Sequence, residues 1–125
     1  MENNFAVIIL AAGRGSRMNS TFSKVLHEVE GKPIIVKTVE TLSQLSPKQI
    51  IAVVGFDAEG VKKALGNKVV YAHQKEQLGT GDATKYGLEK VEDDIDTVVV
   101  INGDDSFFYK AKTIEEILDL HLSSK

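Results

Sequence analysis

Five consecutive positions, Gly13-Arg-Gly-Ser-Arg17, hold two glycines, two arginines and a serine, and Lys24 follows seven residues on. Glycine lets main-chain N–H groups approach an anion with no Cβ in the way. Arg14, Arg17 and Lys24 offer the counter-charge that a polyphosphate needs. A tight turn after a strand would account for the Gly-x-Gly alone, but a turn has no need of three cations. The spacing also separates this loop from two commoner phosphate loops. Met18 stands where the third glycine of a dinucleotide fingerprint would fall, and no Gly-Lys-Ser/Thr sequence closes a P-loop.

A second chemical group lies near residue 104. An apolar run, Thr97-Val-Val-Val-Ile101, ends in Asn102-Gly103-Asp104-Asp105. Mg²⁺ is commonly held by one or two carboxylates together with substrate phosphate oxygens, so Asp104 facing a phosphate loop is an expected metal ligand. The alternative is an aspartate that caps a turn, and Asp105 reads that way or as support for Asp104. A third stretch runs from Gln74 to Gly81. It is either an ordinary exposed loop or, with Gly79 and Gly81 bracketing Thr80, a place for close approach to a flat ring or a ribose. Spacing alone leaves both open. His27, His73 and His121 are scattered, without metal-ligand spacing, and Phe107-Phe108-Tyr109 reads as core packing before it reads as a lid.

The elements that must position these groups alternate. Phe5 to Leu10 is a β-branched-rich apolar run of the kind buried on both faces of a parallel sheet. Residues 24–31 form a connection, Gly31-Lys-Pro33 a turn with Pro33 opening a helix, and Ile35, Val39, Leu42 and Leu45 one helical stripe that Ser46-Pro47 ends. Ile50 to Val54 is a second strand closed by Gly55. Asp57 caps a short helix with Val61, Ala64 and Leu65 on one face and Gly66 as its stop. Lys68 to Ala72 is a third strand, Asp82 to about Val91 a helix, and Asp93, Asp94 and Asp96 a solvated turn before the fourth strand, Thr97 to Ile101. Thr113-Ile-Glu-Glu116 has the form of a capping box opening a last helix.

Strict alternation of strand and helix predicts an α/β fold, a doubly wound, mostly parallel, Rossmann-like sheet with helices on both faces. With strand order 3-2-1-4 the first and fourth strands are neighbours where the order reverses, and ligands of such sheets bind at the carboxyl ends there. The loop at Gly13 and the carboxylate of Asp104 would then face one crevice.

At 125 residues the chain fits a single domain with one core. A net charge of −3 argues against a partner bound through a broad basic face, as nucleic acid is. The absence of cysteine removes disulfides, thiolate catalysis and Cys-ligated zinc. Met1 to Asn4 lack a basic leader and the apolar runs are too short to span a bilayer, so no membrane partner and a cytoplasmic location are expected.

Taken together, Leu10-Ala-Ala-Gly-Arg-Gly-Ser-Arg-Met18, Lys24-Val-Leu-His27 and Gly31-Lys-Pro33 resemble the signature of the sugar-phosphate nucleotidyltransferases. Gln74-x-x-Gln-Leu-Gly-Thr-Gly-x-Ala83 is similar to the form found in bacterial N-acetylglucosamine-1-phosphate uridylyltransferases. The resemblance implies a nucleotide lined by Leu10, Ala11, Ala12, Gly13 and Gly15, and a triphosphate contacted by Arg17 and Lys24 as the catalytic cations. It further implies base and ribose read by Gln74, Gly79 and Thr80, and Mg²⁺ held by Asp104. The implied partners are a nucleoside triphosphate, UTP by preference, and a sugar 1-phosphate whose oxygen attacks the α-phosphorus and releases pyrophosphate. Cytidylyltransferases and molybdopterin nucleotidyltransferases share the Ala-Ala-Gly loop, but the Gln-Leu-Gly-Thr-Gly stretch speaks against them. A non-catalytic nucleotide-binding module is the other reading. Asp105-Ser-Phe-Phe108 stands where the family usually has a short apolar residue and a proline, and family members carry a sugar-binding half later in their chains. Residues 1–125 are therefore expected to be the nucleotide-binding part of a longer domain, inactive alone and prone to self-association through the open edge of the fourth strand.

Overall fold

The first strand, β1 (Phe5–Leu10), lies at the centre of a four-stranded parallel sheet because nothing in its side chains limits burial. Ala6, Val7, Ile8 and Ile9 have no exposed surface at all. Residues 4–12, 26, 28, 29, 31–76 and 79–102 are described by this computed structural model. Along them follow β2 (Glu28–Val29), β3 (Lys32–Pro33), α1 (Ile34–Ser43), β4 (Gln49–Val54), α2 (Ala58–Leu65), β5 (Val70–His73), α3 (Thr80–Leu88) and β6 (Thr97–Asn102).

The sheet order is β5-β4-β1-β6. Counting only the strands of this sheet in chain order, it reads 3-2-1-4, and every neighbouring pair is parallel. The difference in detail is the pair β2 and β3, a separate two-stranded antiparallel ribbon. Its strands are two residues long, too short for any periodicity, and fall where a connection and a turn are expected.

Alternation along β1 sends odd and even residues to opposite faces. Phe5, Val7 and Ile9 join Ile35, Val39 and Leu42 of α1 and Val61 and Leu65 of α2, whereas Ile8 joins Ile51, Val53 and Ala83, the last from α3. Helices therefore cover both faces, as expected. The stripe Ile35, Val39, Leu42 and Leu45 is buried throughout. Thr38 is buried beside it because its Oγ1 donates to the Ile34 carbonyl at 3.0 Å, leaving no polar atom unpaired.

Element ends differ by one to three residues, each for a local reason. Pro33 is the N-cap of α1, with φ −56° and ψ 142°, and not its first helical residue. The helix closes at Ser43, short of Ser46, which precedes Pro47 and stands outside the right-handed helical region at φ 51°. Asp57 caps α2 as expected, accepting from the Gly60 N–H at 3.2 Å, and Gly66 with φ 62° stops it. Ala64 is only half-buried, the place on that face being shared by Ala58. Strand β5 begins at Val70, two residues later than Lys68, and α3 starts at Thr80 and ends at Leu88, where Asp82 and Val91 were expected. Gly81 disguised that start. A glycine is poor within a helix but costs little in the first turn, whose N–H groups lack helical partners anyway. The expected helix from Thr113 and the aromatic cluster at 107–109 lie outside the described residues.

Candidate active site at the carboxyl edge of the sheet

Register places the strand ends side by side. Leu10 at the end of β1 pairs with Val53 of β4 on one side and with Asn102 of β6 on the other, and Val54 pairs with His73 at the end of β5. Beyond β1 the chain continues alongside β4: the Ala11 N–H donates to the Val53 carbonyl at 2.8 Å, and the Ala12 carbonyl accepts from the Phe56 N–H at 3.2 Å. Ala11 and Ala12 are buried, 0% and 4% exposed. Small side chains are what this crossing admits.

Gly55 shows how close it is. A Cβ there would stand 3.1 Å from the Ala12 Cβ and 3.2 Å from the Gln74 carbonyl oxygen. Three strand ends, those of β1, β4 and β5, thus converge on Gly55, whose type alone marks it only as the close of a strand. Gln74 is anchored at the same point, its N–H donating to the Val54 carbonyl at 2.8 Å. Its side chain is 4% exposed, and its Nε2 donates to Asp82 Oδ2 at 2.9 Å. Asp82 is the third residue of α3, within the first turn. Read as the helix start, it had no assigned role; the eight-residue spacing from Gln74 follows no local periodicity that could have revealed the pair.

Gly79 is exposed and is the N-cap of α3 with φ 101°, a left-handed conformation that favours glycine, and its carbonyl accepts from the Ala83 N–H at 3.1 Å. Next to it an open groove of roughly 270 Å³ is lined by Leu10, Gly81, Thr84, Val100, Ile101 and Asn102. That is near the lower size of small-molecule sites, and its described lining carries no charge. Such a wall suits a ring more than a phosphate.

Of the expected site residues, Leu10, Ala11, Ala12, Gln74 and Gly79 thus lie at one edge of the sheet. Thr80 opens α3 at the same edge. Gly13, Gly15, Arg17, Lys24 and Asp104 lie outside the described residues. Among the described residues no group of three or more His, Asp or Glu side chains could hold a metal ion, and no helix is long and apolar enough to cross a membrane. Asp104, the expected metal ligand, follows Asn102 by two residues in sequence.

Comparison with known proteins gives the same answer at the level of the family. Residues 7–125 match the MobA-like NTP transferase domain. The bifunctional protein GlmU of Oceanobacillus iheyensis is 44% identical over 121 residues, which are 97% of this chain and 26% of that protein. The chain spans about a quarter of the length of the curated relatives it matches. Among solved structures, Rv0371c from Mycobacterium tuberculosis H37Rv superimposes with a TM-score of 0.82 over 97% of this chain and 62% of its own, at 20% identity, a likeness of fold. HddC from Yersinia pseudotuberculosis complexed with GMP-PN does so with a TM-score of 0.69 at 29% identity, over 91% of this chain and 54% of its own. The match over residues 7–125, on a doubly wound sheet whose strand ends gather Ala11, Ala12 and Gln74, places the chain in the family of MobA-like NTP transferase domains.

Proposed function

We propose that the chain is the nucleotide-binding part of an enzyme that transfers a nucleotidyl group from UTP to N-acetylglucosamine 1-phosphate and releases pyrophosphate. The observation that carries this reading is the convergence of Ala11-Ala12, Gly55, Gln74 and Gly79 at one edge, beside an uncharged groove that ends at Asn102. The GlmU likeness, and the resemblance of the Gln74 to Ala83 stretch to uridylyltransferases, supply the substrate class.

In this reading Ala11 and Ala12 let the nucleotide lie against the sheet edge, Gln74, Gly79 and Thr80 bind base and ribose, and Gly13 and Gly15 offer N–H groups to the phosphates. Arg17 and Lys24 neutralise charge as it develops on the leaving pyrophosphate. A sugar phosphate is already an ionised nucleophile, so the reaction needs alignment and charge neutralisation more than a strong base. Asp104 would hold Mg²⁺, which when bound supplies further neutralisation of phosphate charge. Self-association belongs to the same proposal: among the described residues β6 pairs only with β1, and Val100 on it is 41% exposed.

Pyrophosphate release from UTP, N-acetylglucosamine 1-phosphate and Mg²⁺ tests the proposal. For residues 1–125 alone we expect UTP binding without turnover; the longer protein should turn over, and Asp104→Ala, Arg17→Ala or Lys24→Ala should lower its rate at least about a hundredfold, the usual worth of an electrostatic group at a transition state. No binding of UTP overturns the reading. Sedimentation at tens of micromolar checks the association, which a clean monomer would refute.

A further inference from the structure

The hydrogen bond between Gln74 and Asp82 does more than fill the edge of the sheet. Gln74 is held at both ends: its main-chain N–H to Val54 at 2.8 Å, and its side-chain Nε2 to Asp82 Oδ2 at 2.9 Å. A side-chain amide has two orientations of nearly equal shape and opposite polarity. A carboxylate accepts hydrogen bonds and donates none, so only the NH₂ end of the amide can face Asp82. Turning the amide over would set two acceptor oxygens against each other inside a site where Gln74 is 4% exposed, and an unpaired buried acceptor is costly. The carbonyl end, Oε1, is the end turned away from Asp82.

Asp82 is itself well seated. It lies in α3, one residue from Gly81 and two from Thr84, which both line the groove. That helix rests on the sheet so closely at Gly87 that a Cβ there would come within 2.7 Å of Ile8.

We propose that Asp82 is a positioning residue that locks the Gln74 amide with its oxygen free, so that the base subsite selects a pyrimidine whose ring nitrogen carries a hydrogen. Uracil offers an N3–H donor to such an oxygen; cytosine offers an unprotonated N3, and two acceptors would face each other. The inference rests on the reading of Gln74 as a base-binding residue and adds the group that sets its polarity.

Calorimetric titration of the chain with UTP and with CTP tests it, in the unaltered chain and in Asp82→Asn and Asp82→Glu. The unaltered chain should bind UTP about tenfold more tightly than CTP, the worth of one well-made hydrogen bond. Asn at position 82 can face the amide with either its nitrogen or its oxygen, so the ratio should fall to about threefold or less, while Glu should retain it. If the unaltered chain binds neither nucleotide, the reading of the site fails and the inference with it. If it prefers UTP and Asp82→Asn keeps the ratio, or loses both affinities equally, the inference alone fails. A measurement on the unaltered chain guards against a variant that does not fold: the Gln74 side-chain amide should show in ¹⁵N spectra one proton protected from exchange, unchanged by UTP. Two freely exchanging protons would overturn the proposal.

Discussion

Gly55 occupies the place where the smallest residue has the largest consequence. Its missing Cβ is what allows Ala12 and Gln74 to approach from neighbouring strand ends, at 3.1 and 3.2 Å from where that atom would be. Gly55→Ala should therefore cost about 1–3 kcal/mol, as overpacking does, and should weaken nucleotide binding by displacing Gln74; urea unfolding and UTP titration read the two effects separately. Asp57 is a second such residue. It combines a left-handed φ of 54° with a cap on α2, so Asp57→Ala loses the cap and keeps the strain, at about 0.5–2 kcal/mol for the cap alone. Asp57→Asn, which can cap and tolerates that conformation, should stay close to the unaltered stability in a thermal melt. At this scale legibility was uneven. The cap at Asp57 could be read from residue type, whereas Gly55 and Asp82 owe their roles to neighbours beyond their own elements, Ala12 and Gln74 for the first and Gln74 for the second, which no local pattern encodes.

Helix α3 carries the site's only described acidic contact to Gln74, and its seat is set by Gly87. A Cβ at that position would lie 2.7 Å from Ile8 Cγ2 and 3.1 Å from Val53 Cγ2. Alanine gains about 1 kcal/mol of helix propensity over glycine, but overpacking at this contact costs about 1–3 kcal/mol, so Gly87→Ala should destabilise in net terms, as a lower urea midpoint with an unchanged slope would show. The four main strands and the helices α1 and α2 were legible because each carries an apolar pattern of its own, and the parallel arrangement of the strands followed from the alternation. The ribbon of β2 and β3 was not, being two residues on each side. The early start of α3 was hidden by Gly81, whose low propensity is harmless in the one turn where it falls.

The whole molecule divides its sheet into two ends with different duties. The carboxyl edge gathers the candidate site, and the amino edge is held by polar ties. Asn4 Nδ2 donates to the Asp94 carbonyl at 3.0 Å and to Asp96 Oδ2 at 2.8 Å. Gln49 Nε2 donates to the Lys90 carbonyl at 3.1 Å, and its Oε1 accepts from the Glu92 N–H at 2.9 Å. Lys48 is ion-paired with Asp94. The hydrogen bond from Lys48 holds the Asp94 carboxyl below its ordinary 3.8, and the same bond raises Lys48 above its ordinary 10.5. The pair therefore stabilises fully between those values; its contribution is lost in acid as pH falls through the lowered Asp94 value, and in alkali as pH rises through the raised Lys48 value. Both groups are solvent-exposed, so the effect is small and weakens with salt. Asp94→Asn should flatten the fall of stability with pH below about 3.8, measured as thermal midpoints across an acid series, and should leave nucleotide binding at the other edge unchanged.

The central place of β1 has a further consequence, in the order of synthesis. It is made first, yet one of its two partners, β6, comes about ninety residues later, Phe5 waiting for Thr97. At a translation speed of about 5–20 residues per second, the most apolar strand of the chain spends on the order of 5 to 20 s with that flank unpaired. During this interval the ribosome-bound chain presents a sticky β-strand, and chaperone capture at the tunnel exit should depend on β1 until Asn102 has emerged.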